Sequence, residues 1–255
     1  MDQLYYGLMQ YQGGKHFSAK SIAGVLAPYL LPGVDYYEPF CGALHASLAI
    51  APYVQGQVHL SDGFDDLVDL WVAVRDGFTM LPITREEYAV LRHATPSPTR
   101  TAAGFGLSFS GKWFGSFVSD RPNLSIYPLQ ALNRSFEKRR PLLARANLTA
   151  CSYDKIQPRR GDLVYCDPPY ANTTQYSAVD SFDSARFWQW VRDMTSGGVN
   201  IFVSEYSAPP DFVSIWSKSV QSKIKTSAHH TPGVSLFATE HLWVKPPTGP
   251  EQSGS

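Results

Sequence analysis

The stretch of sequence that decides the fold is Asp162-Leu163-Val164-Tyr165-Cys166-Asp167-Pro168-Pro169-Tyr170. Its apolar part is typical of a buried β-strand. Two consecutive prolines end this strand, because neither has an N–H group to donate to a neighbouring strand. The turn therefore holds a carboxylate and an aromatic ring at the carboxyl edge of the predicted sheet, where open α/β sheets bind ligands. Taken alone, a plain strand-ending turn explains the same residues equally well.

The groups at this turn suit the binding of a flat exocyclic amine. The Asp167 carboxylate and the Pro168 carbonyl can accept hydrogen bonds from the amine hydrogens. The ring of Tyr170 offers a platform for the heterocycle. The predicted catalytic residues are Asp167, Pro168, Pro169 and Tyr170.

The first third of the chain predicts the front half of a doubly wound α/β sheet. Strands are predicted at 36–40 and 58–62, each followed by a helix, and the second strand ends in Asp62. The next helix is indicated by apolar residues at helical spacing, from Leu67 to Val74. A helix at 18–29 precedes the first strand and is closed by Pro32-Gly33.

The loop after the first strand, Phe40-Cys41-Gly42, predicts a nucleoside-like cofactor without phosphate. Its single glycine lets the backbone approach a ligand. The loop has neither the G-x-G-x-x-G spacing of dinucleotide enzymes nor a phosphate-binding lysine. An acid at the end of the next strand, here Asp62, commonly binds ribose hydroxyls. A helix-capping role explains Asp62 as well, and one carboxylate can do both.

Composition changes after Gly77 and predicts an insertion. The predicted catalytic domain comprises residues 1–77 and 148–245, and residues 78–147 form an inserted target-recognition module. Within the second part, a helix is predicted at 184–195 and strands at 200–205, 223–228 and 240–244. The Pro/Gly/Ser-rich tail 246–255 is predicted to be disordered.

Net charge and cysteine content exclude several classes of protein. The 22 basic and 22 acidic residues cancel, so a nucleic-acid site must be a local patch. Three scattered cysteines fit neither a disulfide framework nor a zinc site, and no metal is predicted. No apolar run is long enough for a membrane span, and a reducing cytoplasmic setting is expected.

Basic residues cluster locally between positions 134 and 160. This window contains eight Lys or Arg residues and two acidic residues, which gives a local net charge of +6. Phosphate contact and a solvated helix face both explain such a cluster. The glycine- and aromatic-rich block 104–117 offers either a DNA-contacting loop or an aromatic core hairpin. The predicted DNA-binding residues are Lys112, Trp113, Arg121, Arg134, Arg139 and Arg140.

Four motifs in this order resemble the DNA adenine methyltransferase family, the Dam-like, alpha-ordered amino-methyltransferases. They are Tyr11-x-Gly13-Gly14-Lys15, Glu38-Pro39-Phe40-x-Gly42, Asp62 and Asp167-Pro168-Pro169-Tyr170. The resemblance covers residues 5 to about 245, and the middle matches least. The block 108–115 resembles a stretch of phage-borne members. Many relatives carry Trp where Tyr11 stands, and Tyr keeps the aromatic face.

The resemblance implies a Rossmann-like class I fold with S-adenosylmethionine as cofactor and double-stranded DNA as partner. It places these residues at the cofactor: Tyr11, Lys15, Glu38, Phe40, Gly42, Asp62 and Asp167. The implied reaction is direct methyl transfer to adenine N6 after base flipping. An N4-cytosine DNA methyltransferase and an RNA adenine N6-methyltransferase remain alternatives. We expect a monomer or weak dimer in a bacterial or phage-infected cell, with or without a restriction partner.

Overall fold

The computed structural model describes residues 15, 17–169, 182–221 and 237–246, which form two compact units, residues 1–158 and 159–255. Tyr11, Tyr170, the predicted strand 223–228 and the tail beyond Pro246 lie outside the described residues.

The first unit contains a parallel three-stranded sheet in the order β3-β2-β1. Its strands are β1 (Tyr36–Glu38), β2 (Val58–Asp62) and β3 (Ala146–Ala150). Its helices are α1 (Ala19–Leu26), α2 (His45–Ile50), α3 (Asp65–Arg75), α4 (Arg85–Leu91), α5 (Pro98–Gly106) and α6 (Ile126–Leu143). The strands and helices predicted up to α3 are confirmed within a few residues at their ends.

The core of the first unit is built on helix α3. Its apolar face, with Leu67, Leu70 and Trp71 fully buried, contacts β2, β3, α5 and α6. Trp71 meets Phe136 of α6 edge to face, with ring centroids 6.2 Å apart. These contacts make α6 part of the same packed body as the sheet.

The predicted module boundary at residue 147 falls inside β3 and is therefore wrong. The strand pairs with β2 in parallel, and Asn147 lies opposite His59. Four of the five side chains of β3 are exposed or half-buried, which explains why no apolar run marked it as a strand. The chain between β2 and β3 contains α3, α4, α5 and α6, and the predicted insertion stays a prediction.

The second unit contains a mixed sheet in the order β4-β5-β7-β6. Its elements are β4 (Leu163–Cys166), α7 (Ser184–Ser196), β5 (Asn200–Glu205), β6 (Val213–Gln221) and β7 (Phe237–Val244). β4 and β5 are parallel, whereas β7 runs antiparallel to β5 and to β6. The predicted β4, α7, β5 and β7 are confirmed, and β6 was missed.

Strand–helix alternation and an antiparallel last hairpin define the fold class. Parallel strands joined by helices fill the first unit and begin the second, and the chain closes with an antiparallel hairpin. These features are those of a Rossmann-like class I methyltransferase fold, as the sequence predicts. Open sheets of this kind bind ligands at the carboxyl ends of their strands. The candidate residues are therefore those that follow β1, β2 and β3 in the first unit and, separately, those that follow β4 in the second.

Candidate active site

The loop after β1 is tied to the end of β2 by hydrogen bonds. The Cys41 N–H donates to the Ser61 carbonyl at 2.9 Å, and the Gly42 N–H donates to Asp62 Oδ2 at 3.0 Å. Gly42 adopts φ +46°, a left-handed conformation that favours glycine. The sequence spacing of Gly42 and Asp62 therefore reflects a direct contact between the two predicted cofactor elements.

Two buried side chains hold the same loop through its carbonyl groups. Trp71 Nε1 donates to the Gly42 carbonyl at 2.9 Å. The Arg139 guanidinium donates to the Ala43 carbonyl at 3.0 and 2.7 Å through Nε and Nη2. These bonds fix the loop conformation from the protein side.

The predicted phosphate contact by Arg139 is wrong. This side chain is only 1% exposed, and burial lowers its pKa to about 10. Its guanidinium also donates to Ser135 and lies 5.7 Å from the centroid of the Trp71 ring. Arg139 therefore supports the loop, and sequence alone could not separate it from its exposed neighbours on α6.

Glu38 and Lys15, both predicted at the cofactor, are buried. The Glu38 carboxylate accepts hydrogen bonds from Tyr36 Oη at 2.7 Å and Ser47 Oγ at 2.5 Å, which join β1 to α2. The Lys15 carbonyl accepts the Ala19 N–H at 2.7 Å at the start of α1. Their cofactor roles stay predictions.

Asp62 makes a helix-capping contact, and its carboxyl group has a raised pKa. Its Oδ1 accepts the Phe64 N–H at 3.0 Å, just before α3 begins. Burial raises the pKa of Asp62 to about 6, although the N–H groups of Gly42, Phe64 and Gly63 oppose the change. A carboxylate whose charge is incompletely compensated is a strong acceptor for ligand hydroxyl groups.

The end of β3 adds residues that the sequence motifs missed. The Cys151 N–H donates to the Asp62 carbonyl at 3.1 Å. The buried Tyr153 ring stacks on Phe40, with centroids 5.6 Å apart and an interplanar angle of 27°. No spacing rule pointed to Tyr153. Its position just after the strand next to β2 is the signal that could have found it.

The predicted catalytic turn follows β4 directly. All four residues of β4 are fully buried, and the Tyr165 and Ser204 hydroxyls lie 2.8 Å apart between β4 and β5. Asp167 is half-buried, Pro168 is buried and Pro169 is exposed. Asp167 therefore directly follows the carboxyl end of β4, and its catalytic role stays a prediction.

The remaining predicted DNA-binding residues differ in how available they are. Lys112, Arg121 and Arg134 are exposed. The Arg140 guanidinium donates to the Val74 and Phe78 carbonyls, both at 3.0 Å, and pairs with Glu137. Arg140 therefore ties α6 to the last turn of α3 and to the chain just beyond it, and its DNA contact stays a prediction.

Trp113 belongs to an aromatic cluster with Phe64, Phe105 and Phe114. Its ring centroid lies 5.3 Å from that of Phe64 and 4.6 Å from that of Phe105, and its side chain is half-buried. The Arg100 guanidinium lies 5.1 Å from its centroid and also pairs with Asp66. The cluster joins α5 and the segment after it to Phe64, which follows Asp62 closely in the chain, and a DNA contact of Trp113 stays a prediction.

Gly104 leaves the space that this aromatic cluster fills. A Cβ atom at this position would meet Trp113 Cζ3 at 2.6 Å and Phe114 Cε2 at 2.8 Å. We expect Gly104→Ala to lower the free energy of unfolding by about 1–3 kcal/mol, the usual cost of overpacking. Gly24→Ala on α1 is the control, since no atom lies within 4 Å of its added Cβ. Urea denaturation should show a lower midpoint for Gly104→Ala than for Gly24→Ala, and equal midpoints would contradict the expectation.

The described residues contain no group of three or more His, Cys, Asp or Glu side chains arranged to hold a metal ion. Within the same residues, no helix has the length and apolar character needed to cross a membrane.

Comparisons with known proteins give structural similarity only. No family model matches the chain, and no curated protein matches it. A solved structure named "Putative methyltransferase yhhF from Escherichia coli" is 10% identical, with 89% of this chain and 85% of that chain covered and a TM-score of 0.40. A "putative rRNA-methylase" from Clostridium thermocellum is 10% identical, with coverages of 89% and 96% and a TM-score of 0.44. A "putative RNA methyltransferase" from Pyrococcus horikoshii is 7% identical, with coverages of 89% and 83% and a TM-score of 0.41. At these identities and TM-scores, neither a substrate nor the role of any residue follows for this chain.

Proposed function

We propose that this protein transfers a methyl group from S-adenosylmethionine to the N6 amine of adenine in double-stranded DNA. The observation that carries the proposal is the half-buried Asp167 directly behind the fully buried strand β4, followed by two prolines. A carboxylate fixed in this way suits an amine that must be held by its hydrogens. The order of the four sequence motifs supports adenine as the base.

The first unit offers groups that fit the nucleoside part of S-adenosylmethionine. The Asp62 carboxylate would accept the ribose hydroxyls, and its raised pKa supports such a need for a further partner. The hydrogen-bonded loop with Phe40 and Gly42, together with the stacked Tyr153, would line the cofactor. Tyr11, Lys15 and Glu38 complete the proposed set. The cofactor supplies an electrophilic methyl group on a sulfonium.

Asp167 would make the target amine nucleophilic. The N6 lone pair of adenine is delocalised into the ring, so the amine is a poor nucleophile. Hydrogen bonds from the amine to the Asp167 carboxylate and the Pro168 carbonyl favour a tetrahedral nitrogen with a localised lone pair. The localised lone pair would then be directed at the electrophilic methyl group that bound S-adenosylmethionine supplies. Asp167 or water would take the proton that the amine nitrogen gives up.

The target base must leave the duplex to reach this carboxylate, and Tyr170 would stack on it. Lys112, Trp113 and Arg121 are the proposed DNA contacts outside α6, and the predicted contacts of Arg134 and Arg140 define a competing surface on α6. The proposal includes action as a monomer or weak dimer on bacterial or phage DNA in the cytoplasm.

Methyl transfer to defined substrates tests the proposal. The protein is incubated with radiolabelled S-adenosylmethionine and duplex DNA, single-stranded DNA or structured RNA, and the products are digested to nucleosides. We expect label in N6-methyladenine from duplex DNA and none with Asp167→Ala. Label in N4-methylcytosine, or in RNA alone, would replace the proposed substrate with the corresponding alternative.

A further inference from the structure

A groove between α4 and the segment after α5 is lined by positive and aromatic side chains. It has a volume of about 720 Å³, and we call it the basic groove. Its main lining residues are Arg85, Tyr88, Arg92, His93, Phe109 and Lys112. None of the described residues that line it is Asp or Glu, although the chain as a whole is neutral.

Acidic residues close to the basic groove in sequence are engaged elsewhere. The Glu87 carboxylate accepts the Thr84 N–H at 2.6 Å in the capping box of α4. The Glu86 carboxylate accepts Asn123 Nδ2 at 2.7 Å. Both acids therefore satisfy local hydrogen bonds, and the positive charge of the groove has no carboxylate in its lining.

The cations of the basic groove keep their charge available to a ligand. Lys112 is exposed. Arg85 is exposed, contacts Ser119 Oγ at 3.4 Å and lies 5.4 Å from the centroid of the Phe117 ring. Arg92 donates to the Phe114 carbonyl, a neutral acceptor that fixes the side chain without cancelling its charge.

An exposed phenylalanine lies at the edge of the basic groove on a well-bonded backbone. Phe109 is 70% exposed, and its N–H donates to the Ser116 carbonyl at 2.8 Å. The Gly115 N–H donates to Ser108 Oγ at 2.7 Å, and Tyr88 Oη donates to the Gly115 carbonyl at 3.2 Å. These bonds hold an apolar ring in solvent next to several cations, an arrangement that suits a ligand with anionic groups and flat or apolar edges.

We propose that the basic groove binds the sugar-phosphate backbone of duplex DNA, with Phe109 packing against sugar or base edges. This inference rests on the proposed function and names the surface that carries its substrate affinity. The surface of α6 is a weaker candidate for contact with DNA phosphates, because Arg139 is buried and Arg140 donates to main-chain carbonyls. The groove therefore takes the role that the sequence assigned to residues 134–160.

Two double variants with the same charge change separate these surfaces. Arg85→Ala/Lys112→Ala removes two cations of the groove, whereas Arg134→Ala/Lys138→Ala removes two exposed cations of α6. Arg92 is left in place because its loss would release the Phe114 carbonyl. Affinity for a fluorescent duplex is measured by anisotropy at several salt concentrations.

We expect the groove variant to bind about 30-fold more weakly at 0.15 M salt and to lose about two units of the salt-dependence slope, as for two lost phosphate contacts. The α6 variant should stay within about threefold of wild type, since it loses no counterion-releasing contact. Phe109→Ala should weaken binding without changing the slope. An equal or larger loss in the α6 variant, or an unchanged slope in the groove variant, would overturn the proposal.

Separate measurements distinguish failure of this inference from failure of the proposed function. Thermal unfolding and S-adenosylmethionine affinity of the groove variant should match wild type, which shows that the fold and the cofactor site are intact. Wild-type methyl transfer to duplex DNA tests the function, and duplex binding of the groove variant tests the surface. Tighter wild-type binding to duplex RNA than to duplex DNA would overturn the assigned occupant even if the groove carries the affinity.

Discussion

Asp167→Ala is expected to lower the rate of methyl transfer by at least about 10²–10³-fold, the usual effect of removing one principal transition-state contact. Asp167 lies at the carboxyl end of a strand that is buried on both faces. The substitution removes the acceptor for the amine without altering β4 itself. Single-turnover kinetics at saturating duplex DNA and S-adenosylmethionine measure the chemical step directly.

The controls for this variant separate chemistry from binding and folding. Affinities for duplex DNA and for S-adenosylmethionine should change far less than the rate, because the proposed loss occurs in the transition state. Asp193→Ala removes an exposed carboxylate of α7 in the same unit and should keep wild-type turnover. Wild-type turnover of Asp167→Ala would remove this residue from the active site and with it the main support for the proposed reaction.

Strand and helix predictions succeed where hydrophobic pattern and turn chemistry agree. β2 and β5 match their predicted bounds, and β4 is a short apolar run closed by a turn signal. β6 was missed because most of its side chains are exposed or half-buried and polar residues interrupt its pattern. The position of β6 in the sheet is set by its pairing with β7, a contact between separate strands that a local sequence pattern does not reveal.

In the candidate site too, residues that follow a local sequence pattern were predicted, whereas residues placed by long-range contacts were not. Gly42 and Asp62 were predicted together because a known type of loop places an acid at that distance, and they are in contact. Arg139 was misassigned because sequence gives the charge of α6 but not which side chain faces inward. Its inward position depends on the Ala43 carbonyl, 96 residues away along the chain. Tyr153 was missed for the same reason, since only the fold brings it to Phe40.

The raised pKa of Asp62 predicts that cofactor binding depends on pH. The pKa changes from its ordinary value of 3.8 to about 6, an interval that corresponds to about 3 kcal/mol. Because the pKa is raised in the folded protein, the stability that Asp62 contributes is fully present below pH 3.8 and is lost as the pH rises through about 6. At neutral pH the ionised carboxylate therefore destabilises the unliganded protein, and a ligand that donates hydrogen bonds to it offsets this cost.

S-adenosylmethionine affinity should consequently rise with pH around pH 6, because ribose hydroxyls donate to the ionised carboxylate. Below that value we expect affinity to fall by up to about tenfold for each pH unit. Asp62→Asn should weaken binding at pH 7.5 by about 1.5–3 kcal/mol, the range for a hydrogen bond to a charged group, and should flatten this pH dependence. An amide oxygen can still accept one of the two main-chain N–H groups, so the loop after β1 keeps part of its support.

Titration calorimetry between pH 5 and pH 8 tests this prediction, with Asp65→Asn as the matched control. Asp65 is an exposed carboxylate in the first turn of α3, three residues along the chain from Asp62, and its amide variant should bind like wild type at every pH. Ionisation of the cofactor itself contributes equally to all three proteins, so it cancels in the comparison. If Asp62→Asn kept both the affinity and the pH dependence of wild type, Asp62 would be only a helix-capping residue, and the nucleoside would have to bind elsewhere.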